Sequence, residues 1–238
     1  MPQIILLGAP GAGKGTQAAQ IVEKFKYKHV STGDLLRQEL AAKTELGQKI
    51  ASIMEQGKLV ADDIVFTLLA KNCDLTSGHY IFDGFPRTIA QAKALDEKII
   101  KDYPATAIYL DVPLQELIAR ICNRRVAPKS GQIYNLISKP PKRPGFCDIS
   151  GEPLIQRKDD TEEVVKNRFK VFQDTIGPIM EHYAAKGLLH KVDATIDSAT
   201  TFQQIAKILE QAQSWSRRKG ERPEGVIRCV IPCFILLH

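Results

Sequence analysis

The sequence lacks a CxxC pair: its five cysteines, Cys73, Cys122, Cys147, Cys229 and Cys233, stand apart. That spacing points to reduced thiols in the cytoplasm and not to a disulfide framework. Cys73 and Cys122 read as small buried hydrophobes. It also lacks a long basic tract. The 33 Lys+Arg outnumber the 27 Asp+Glu by 6, with short runs only at Arg124 and Arg125 and at 217–219. The balance suits anionic partners without saying whether they are nucleotides, nucleic acid or membrane, and with no patch that interleaves aromatic and basic residues a nucleic-acid module is disfavoured. No apolar run reaches the roughly 20 residues of a membrane-spanning helix. The first run, in MPQIILLGAPG, follows no basic segment and ends in a glycine loop in place of a cleavage site. It reads as a buried strand, not a signal peptide.

What is present is ordinary globular composition, 44% hydrophobic and 25% charged, over a length that suits one core with insertions. Strand-length apolar runs fall at 3–7, 79–82, 105–110 and 188–192, and a short strand ends near Val30. The segments between them carry helical periodicity, so the expected class is α/β: a central parallel sheet with helices on both faces. Pro113 is expected in the first turn of a helix, and Asp160 with Glu163 in a capping box before a long one. Segment 31–60 is helical without a strand of its own and reads as an insertion. Segment 126–159, rich in Pro, Gly and Ser, reads as a lid or small subdomain.

Chemistry concentrates at 8–16, where strand, glycine loop, lysine and helix follow in order. Backbone N–H groups of Gly11, Ala12, Gly13, Gly15 and Thr16 can turn towards oxyanions, the helix N-terminus adds positive charge, and Lys14 reaches the terminal phosphates. The common pattern wants a hydroxyl directly after the lysine to hold magnesium. Gly15 stands there and Thr16 follows, so the metal is expected on phosphates and waters. In YIFDGFPRT, Asp83 is expected at the carboxyl edge of the sheet, where ligands of open α/β folds bind, able to accept from magnesium-bound water. Arg120 and Arg124, four apart, are expected on one side of one helix.

GAPGAGKGTQ, STGDLLR, QGKLV, DGFPRT, RRV, YN…PP and RKDD, in that order and spacing, resemble the adenylate kinase family over about residues 1–212. The resemblance implies the P-loop kinase fold, with a core of 1–30, 61–122 and 161–213, a monophosphate-binding insertion at 31–60, a lid at 123–160 and an atypical tail at 214–238. It implies reversible, magnesium-dependent transfer from ATP to AMP, giving two ADP. AMP contacts are then Thr32, Arg37, Lys58, Leu59, Val60, Gly84, Phe85, Pro86, Arg87, Gln91, Arg157 and Arg168, and ATP contacts are the loop, Arg120, Arg124, Ile133, Tyr134 and backbone near Ile196. Lys14, Arg87, Arg124, Arg157 and Arg168 would surround the moving phosphoryl group, with Asp159 and Asp160 holding the lid arginines. A cytoplasmic monomer is implied, with no membrane or nucleic-acid partner. Other readings are a related kinase using GTP as donor or CMP and UMP as acceptor, and a P-loop ATPase switch.

Two departures stand out. Where many long-lid members carry zinc ligands, this chain has Ala127, Ser130, Cys147 and Ser150, a single thiol, so no structural zinc is expected. Ala127 is not able to join a polar replacement cluster through its side chain, which leaves apolar packing to hold the lid. Beyond Ala212, the basic, turn-rich WSRRKGERPEG leads into apolar VIRCVIPCFILLH. That tail could add a strand to the body, pair with another chain or attach to a surface.

Overall fold

The structure, a computed structural model, describes residues 1–157 and 159–218. Strand β1 (Gln3–Gly8) leads through the glycine loop to α1 (Lys14–Phe25), followed by β2 (Lys28–Ser31), α2 (Thr32–Ala41), α3 (Glu45–Glu55) and α4 (Asp62–Asn72). Then come β3 (Tyr80–Asp83), α5 (Ile89–Ala94), which runs on as a π-turn over Leu95–Ile100, β4 (Ala105–Asp111) and α6 (Leu114–Cys122). The short strands β5 (Arg124–Val126) and β6 (Ile133–Asn135) pair antiparallel, and α7 (Glu162–Ala185), β7 (Leu189–Asp193) and α8 (Ser198–Arg218) complete the described chain.

The five long strands form one sheet in the order β2-β3-β1-β4-β7, every pair parallel. Side chains alternate across a strand, and β1 shows it. Ile4 and Leu6 enter one core layer with Ile21, Ile121, Val165, Phe169, Ile205 and Leu209; Ile5 and Leu7 enter the other with Leu69, Phe82, Phe85, Leu95, Ile179 and Tyr183. The sheet is thus covered on both faces, which is why its strands read as continuous apolar runs. Each such side chain contributes about 1.5–3 kcal/mol by leaving water. The carboxyl ends of β1, β2, β3 and β7 open onto the phosphate loop, Thr32, Asp83 and the segment 194–197.

Several local expectations change. Pro113 is the N-cap residue of α6, outside its first turn. Thr161, not Asp160, caps α7, and no capping box forms; the Asp160 carboxylate is buried and bonded to Arg124 instead. Arg120 and Arg124 do not share a helix. The helix stops at Cys122, where the Asn123 side chain donates to Ala119 O (2.9 Å) and Leu136 N bonds to Asn123 O (2.9 Å), so Arg124 opens β5. Cys73 and Cys122 are half-buried, while Cys147 is the buried thiol. Helix α8 continues past Ala212 through Trp215 to Arg218, so that stretch is helix where turns are expected. The apolar end of the tail, with Cys229 and Cys233, lies outside the described residues.

Candidate active site

The phosphate loop leaves the carboxyl end of β1 and enters α1 through Gly13, whose left-handed φ of 93° sets the turn into the helix. Lys14 folds back over the loop, donating to Gly8 O (2.8 Å) and Ala9 O (3.0 Å). Burial, opposed by Asp83 and reinforced by nearby Arg87, Arg124 and Arg168, brings its pKa down from 10.5 to about 8. Its folded pKa lies below the unfolded one, so the folded empty protein holds fewer protons between pH 8 and 10.5, and this group's contribution to stability rises across that window. A bound polyanion favours the ammonium. Nucleotide binding is therefore expected to take up close to about one proton near pH 9 and almost none at pH 7, with affinity falling above about pH 8. Calorimetric titration in buffers of different ionisation enthalpy measures this; equal uptake at both pH values would refute it.

Gly15 has a packing reason. A Cβ there would lie 3.0 Å from Ile133 Cδ1, so β6 can close on the loop because the side chain is missing. The same position faces Asp83 Oδ2 at 4.0 Å. Asp83 is buried at the end of β3 and receives the imidazole of His29 at 3.2 Å. Burial opposes its charge, but His29 and Lys14 prevail and hold its pKa below the ordinary value. A hard carboxylate oxygen, kept ionised beside a phosphate loop, suits magnesium bound through water.

A second cleft opens beside the loop. Thr32, Arg37, Lys58, Leu59, Val60, Gly84, Phe85, Arg87, Gln91 and Arg168 all line it, whereas Pro86 and Arg157 do not. Leu36, from STGDLLR, and Met54 and Val65, which no motif marks, supply its apolar wall. The local chemistry of its rim is explicit. Ser31 caps α2 by accepting from Asp34 N (3.2 Å), Thr32 donates to Gly84 O (2.9 Å), and Thr88 caps α5 by accepting from Gln91 N (3.1 Å). Gln91 is buried: its amide donates to Asp62 (2.6 Å) and accepts from Arg87 N (2.7 Å), leaving one N–H and one lone pair for a ligand. Asp62 carries no motif signal; it is found only through this contact.

Arg37, Arg87 and Arg168 of the cleft lining, with Arg124 and Arg157 close by, stand beside carboxylates set to orient them. Arg168 binds Asp159 at 2.6 Å, Arg124 Nε binds Asp160 at 2.8 Å, and Asp34 accepts from both Arg37 (2.5 Å) and Arg157 (3.4 Å). Arg87 donates to Gly84 O (2.7 Å). Burial, then the charge of Arg168, lowers Arg87 to about 10; burial, then Arg37, does the same to Arg157. Both stay cationic near neutrality. With Lys14, six cations face the four carboxylates Asp34, Asp83, Asp159 and Asp160, an excess that a polyanion can neutralise. Arg120 stands further out and donates to Ala194 O (3.0 Å) and Thr195 O (3.4 Å), beneath the exposed Ile196.

In the 123–160 segment, the expected apolar packing is present and polar contacts join it. Ala127, Tyr134 and Cys147 do form a small buried cluster with Leu154. Beside it, Glu152 accepts from Lys129 N, Ser130 N and Ser150 Oγ, each at 2.8 Å. Tyr134 lies 3.4 Å from Cys147 Sγ and accepts from Asp148 N at 2.8 Å. Among the described residues, no group of three or more His, Cys, Asp or Glu is placed to hold a metal ion. Burial opposes the Glu152 charge, but the Lys129 N–H and the serine donors outweigh it and hold its pKa down to about 2. Glu152→Ala is expected to remove the side-chain acceptor of the Lys129 and Ser130 N–H groups. Hydrogen exchange should then accelerate at Lys129 and Ser130 while the sheet amides keep their protection.

The comparisons with known proteins agree with this geometry. A family model described as adenylate kinase matches residues 6–188. The adenylate kinase of Thermosipho melanesiensis is 43% identical over 214 residues, covering 87% of this chain and 99% of the relative. That of Lachnospira eligens is 44% identical over 212 residues, with 87% and 99% covered, and that of Archaeoglobus fulgidus 42% over 216, with 89% and 99%. With the phosphate loop, the second cleft and the arginines beside it, these matches establish that the chain belongs to the adenylate kinase family.

Proposed function

We propose that the protein transfers the terminal phosphoryl group of ATP to AMP, reversibly, giving two ADP. The observation that carries this reading is a phosphate loop whose Lys14 lies within electrostatic reach of Arg87, Arg124 and Arg168, two of which, Arg87 and Arg168, also line the cleft with Thr32, Arg37 and Gln91. The attacking atom is a phosphate oxygen of AMP, already anionic. Its bond to the γ-phosphorus forms as the bond to the β–γ bridging oxygen breaks, and ADP leaves with that electron pair. No general base is required, so catalysis is alignment and charge stabilisation. Lys14 and the backbone of Gly11, Ala12, Gly13, Gly15 and Thr16 hold the donor phosphates; Arg87 and Arg37 hold the acceptor phosphate; Arg124, Arg157 and Arg168 stabilise the group in flight. Asp83 would hold magnesium through water, and the ion would then supply further charge neutralisation to the donor phosphates.

Segments 31–60 and 123–160 are the closing parts in this proposal, bringing Ile133 and Tyr134 over the donor and excluding water, with Asp159 and Asp160 aiming the arginines. The donor base lies against Arg120 and Ile196. A cytoplasmic location belongs to the same proposal, supported by the free thiols of Cys73, Cys122 and Cys147, as does a monomer, which rests on the family resemblance alone. No helix among the described residues is long and apolar enough to cross a membrane. Initial rates with each nucleoside monophosphate against ATP and GTP test the proposal. Preference for ATP with AMP is expected; hydrolysis of ATP independent of any monophosphate would overturn it.

A further inference from the structure

The segment between β7 and α8 is held more firmly than its exposure requires. Asp193 accepts from Thr195 N (2.9 Å) and Thr195 Oγ1 (2.7 Å), and Asp197 accepts from Ala199 N (2.9 Å) and Thr200 N (3.0 Å). Arg120 grips two of its carbonyls from one side. From the other side comes α1 itself. Gln17, buried one turn after Lys14, donates to Ser198 O (3.0 Å) and Ser198 Oγ (3.2 Å), and Gln20, one turn further, donates to Ser198 Oγ (2.7 Å). Positions three apart share a helix face. Lys14, Gln17 and Gln20 therefore make α1 a rigid bar, with the phosphate loop at one end and the 194–198 segment pinned to its flank.

We infer that Gln17, Gln20 and Ser198 are positioning residues for the donor base: they fix the backbone at 194–197 in register with the phosphate loop, so that triphosphate and purine are read as one rigid unit. The inference rests on the proposed placement of the donor base at Ile196. None of the three touches the reacting atoms in this scheme. A backbone surface discriminates adenine from guanine only if its carbonyls and N–H groups stay put, because the two purines exchange donor for acceptor at the same ring position. A clamp on the backbone therefore acts on selectivity before it acts on rate. Gln17 also keeps a buried Oε1 with no partner among the described residues, a cost that the two bonds to Ser198 must offset.

The test uses Ser198→Ala, Gln20→Ala and the double variant Gln17→Leu/Ser198→Ala in the full chain, with melting temperature recorded for each. The expected result for the double variant is a KM for ATP raised about tenfold, corresponding to about 1.4 kcal/mol. The preference for ATP over GTP should fall by a similar factor, with kcat and the KM for AMP within about twofold. Inhibition by inorganic tripolyphosphate, which carries no base and so does not reach the 194–197 backbone, should be unchanged. Ser198→Thr, which keeps the hydroxyl, should recover most of the loss seen in Ser198→Ala. If the KM values for ATP and AMP rise together with a lowered melting temperature, or if ATP selectivity does not move, the inference fails. Ile196→Asp separates that failure from failure of the base placement. An unchanged KM for ATP in Ile196→Asp overturns the placement and the inference with it, whereas a raised one beside unaffected clamp variants overturns the inference alone.

Discussion

Lys14→Met is expected to lower kcat/KM about 10³-fold, chiefly through kcat, while the melting temperature stays level or rises. The activity loss follows from where the ammonium sits. It is half-buried beside the loop, donating to Gly8 O and Ala9 O, next to where the donor phosphates are proposed to bind. Removing one preorganised donor at such a centre costs about 10²–10³ in rate, and a lysine contributes full charge besides. The stability expectation has the opposite sign because a half-buried cation near Arg87, Arg124 and Arg168 is a burden in the empty protein, as its depressed pKa shows. Methionine keeps the length and apolar contacts of the stem. Steady-state kinetics with calorimetric melting checks both halves; a stable variant with wild-type kcat would remove Lys14 from the mechanism.

The difference between what motifs mark and what they leave dark has a physical basis. Lys14 and Asp83 are legible because each lies in a short segment, a glycine loop and a strand end, whose local geometry and chemistry are set together, whereas Thr32, Arg87 and Gln91 are legible only through the resemblance of STGDLLR, and of DGFPRT with the helix after it, to the family. The sheet is legible for a similar reason, since β1, β3 and β4 are buried on both faces and read as unbroken apolar runs. Partners that meet across the chain are not. Asp62 lies 29 positions from Gln91, and Glu152 lies 23 and 22 from the amides of Lys129 and Ser130 that it caps. Nothing in either segment alone distinguishes such an acid from a solvated one.

Arg124 shows the limit from the other direction. A spacing of four predicts a shared helix face with Arg120, yet the helix ends two residues earlier because Asn123 turns its side chain back to Ala119 O. The positive charge still reaches the site, from a strand. Asp160 fails as a capping residue for a related reason: an ion pair with Arg124 in a dry setting outweighs what a carboxylate gains at a helix start, so Thr161 takes the cap position.

That ion pair supports the second large expectation, which concerns stability and catalysis together. The Asp160 side chain has no exposed surface and that of Arg124 only 17%. Arg124→Met is expected to cost about 3–5 kcal/mol, because it leaves the carboxylate uncompensated except for Arg168 at 3.7 Å. In a chain of this length that is roughly 10 °C in melting temperature. It should also lower kcat by about 10³, the range for losing an arginine that stabilises a transferring phosphoryl group. The double variant Arg124→Met/Asp160→Leu divides the two effects. Replacing a buried ion pair by apolar groups of similar volume is often neutral, so most of the melting temperature should return. The lost rate should not, since no packing substitutes for a charge that acts only when phosphate is present. Full recovery of kcat in the double variant would make Arg124 a structural partner of Asp160 and leave the phosphoryl group to Arg87, Arg157 and Arg168.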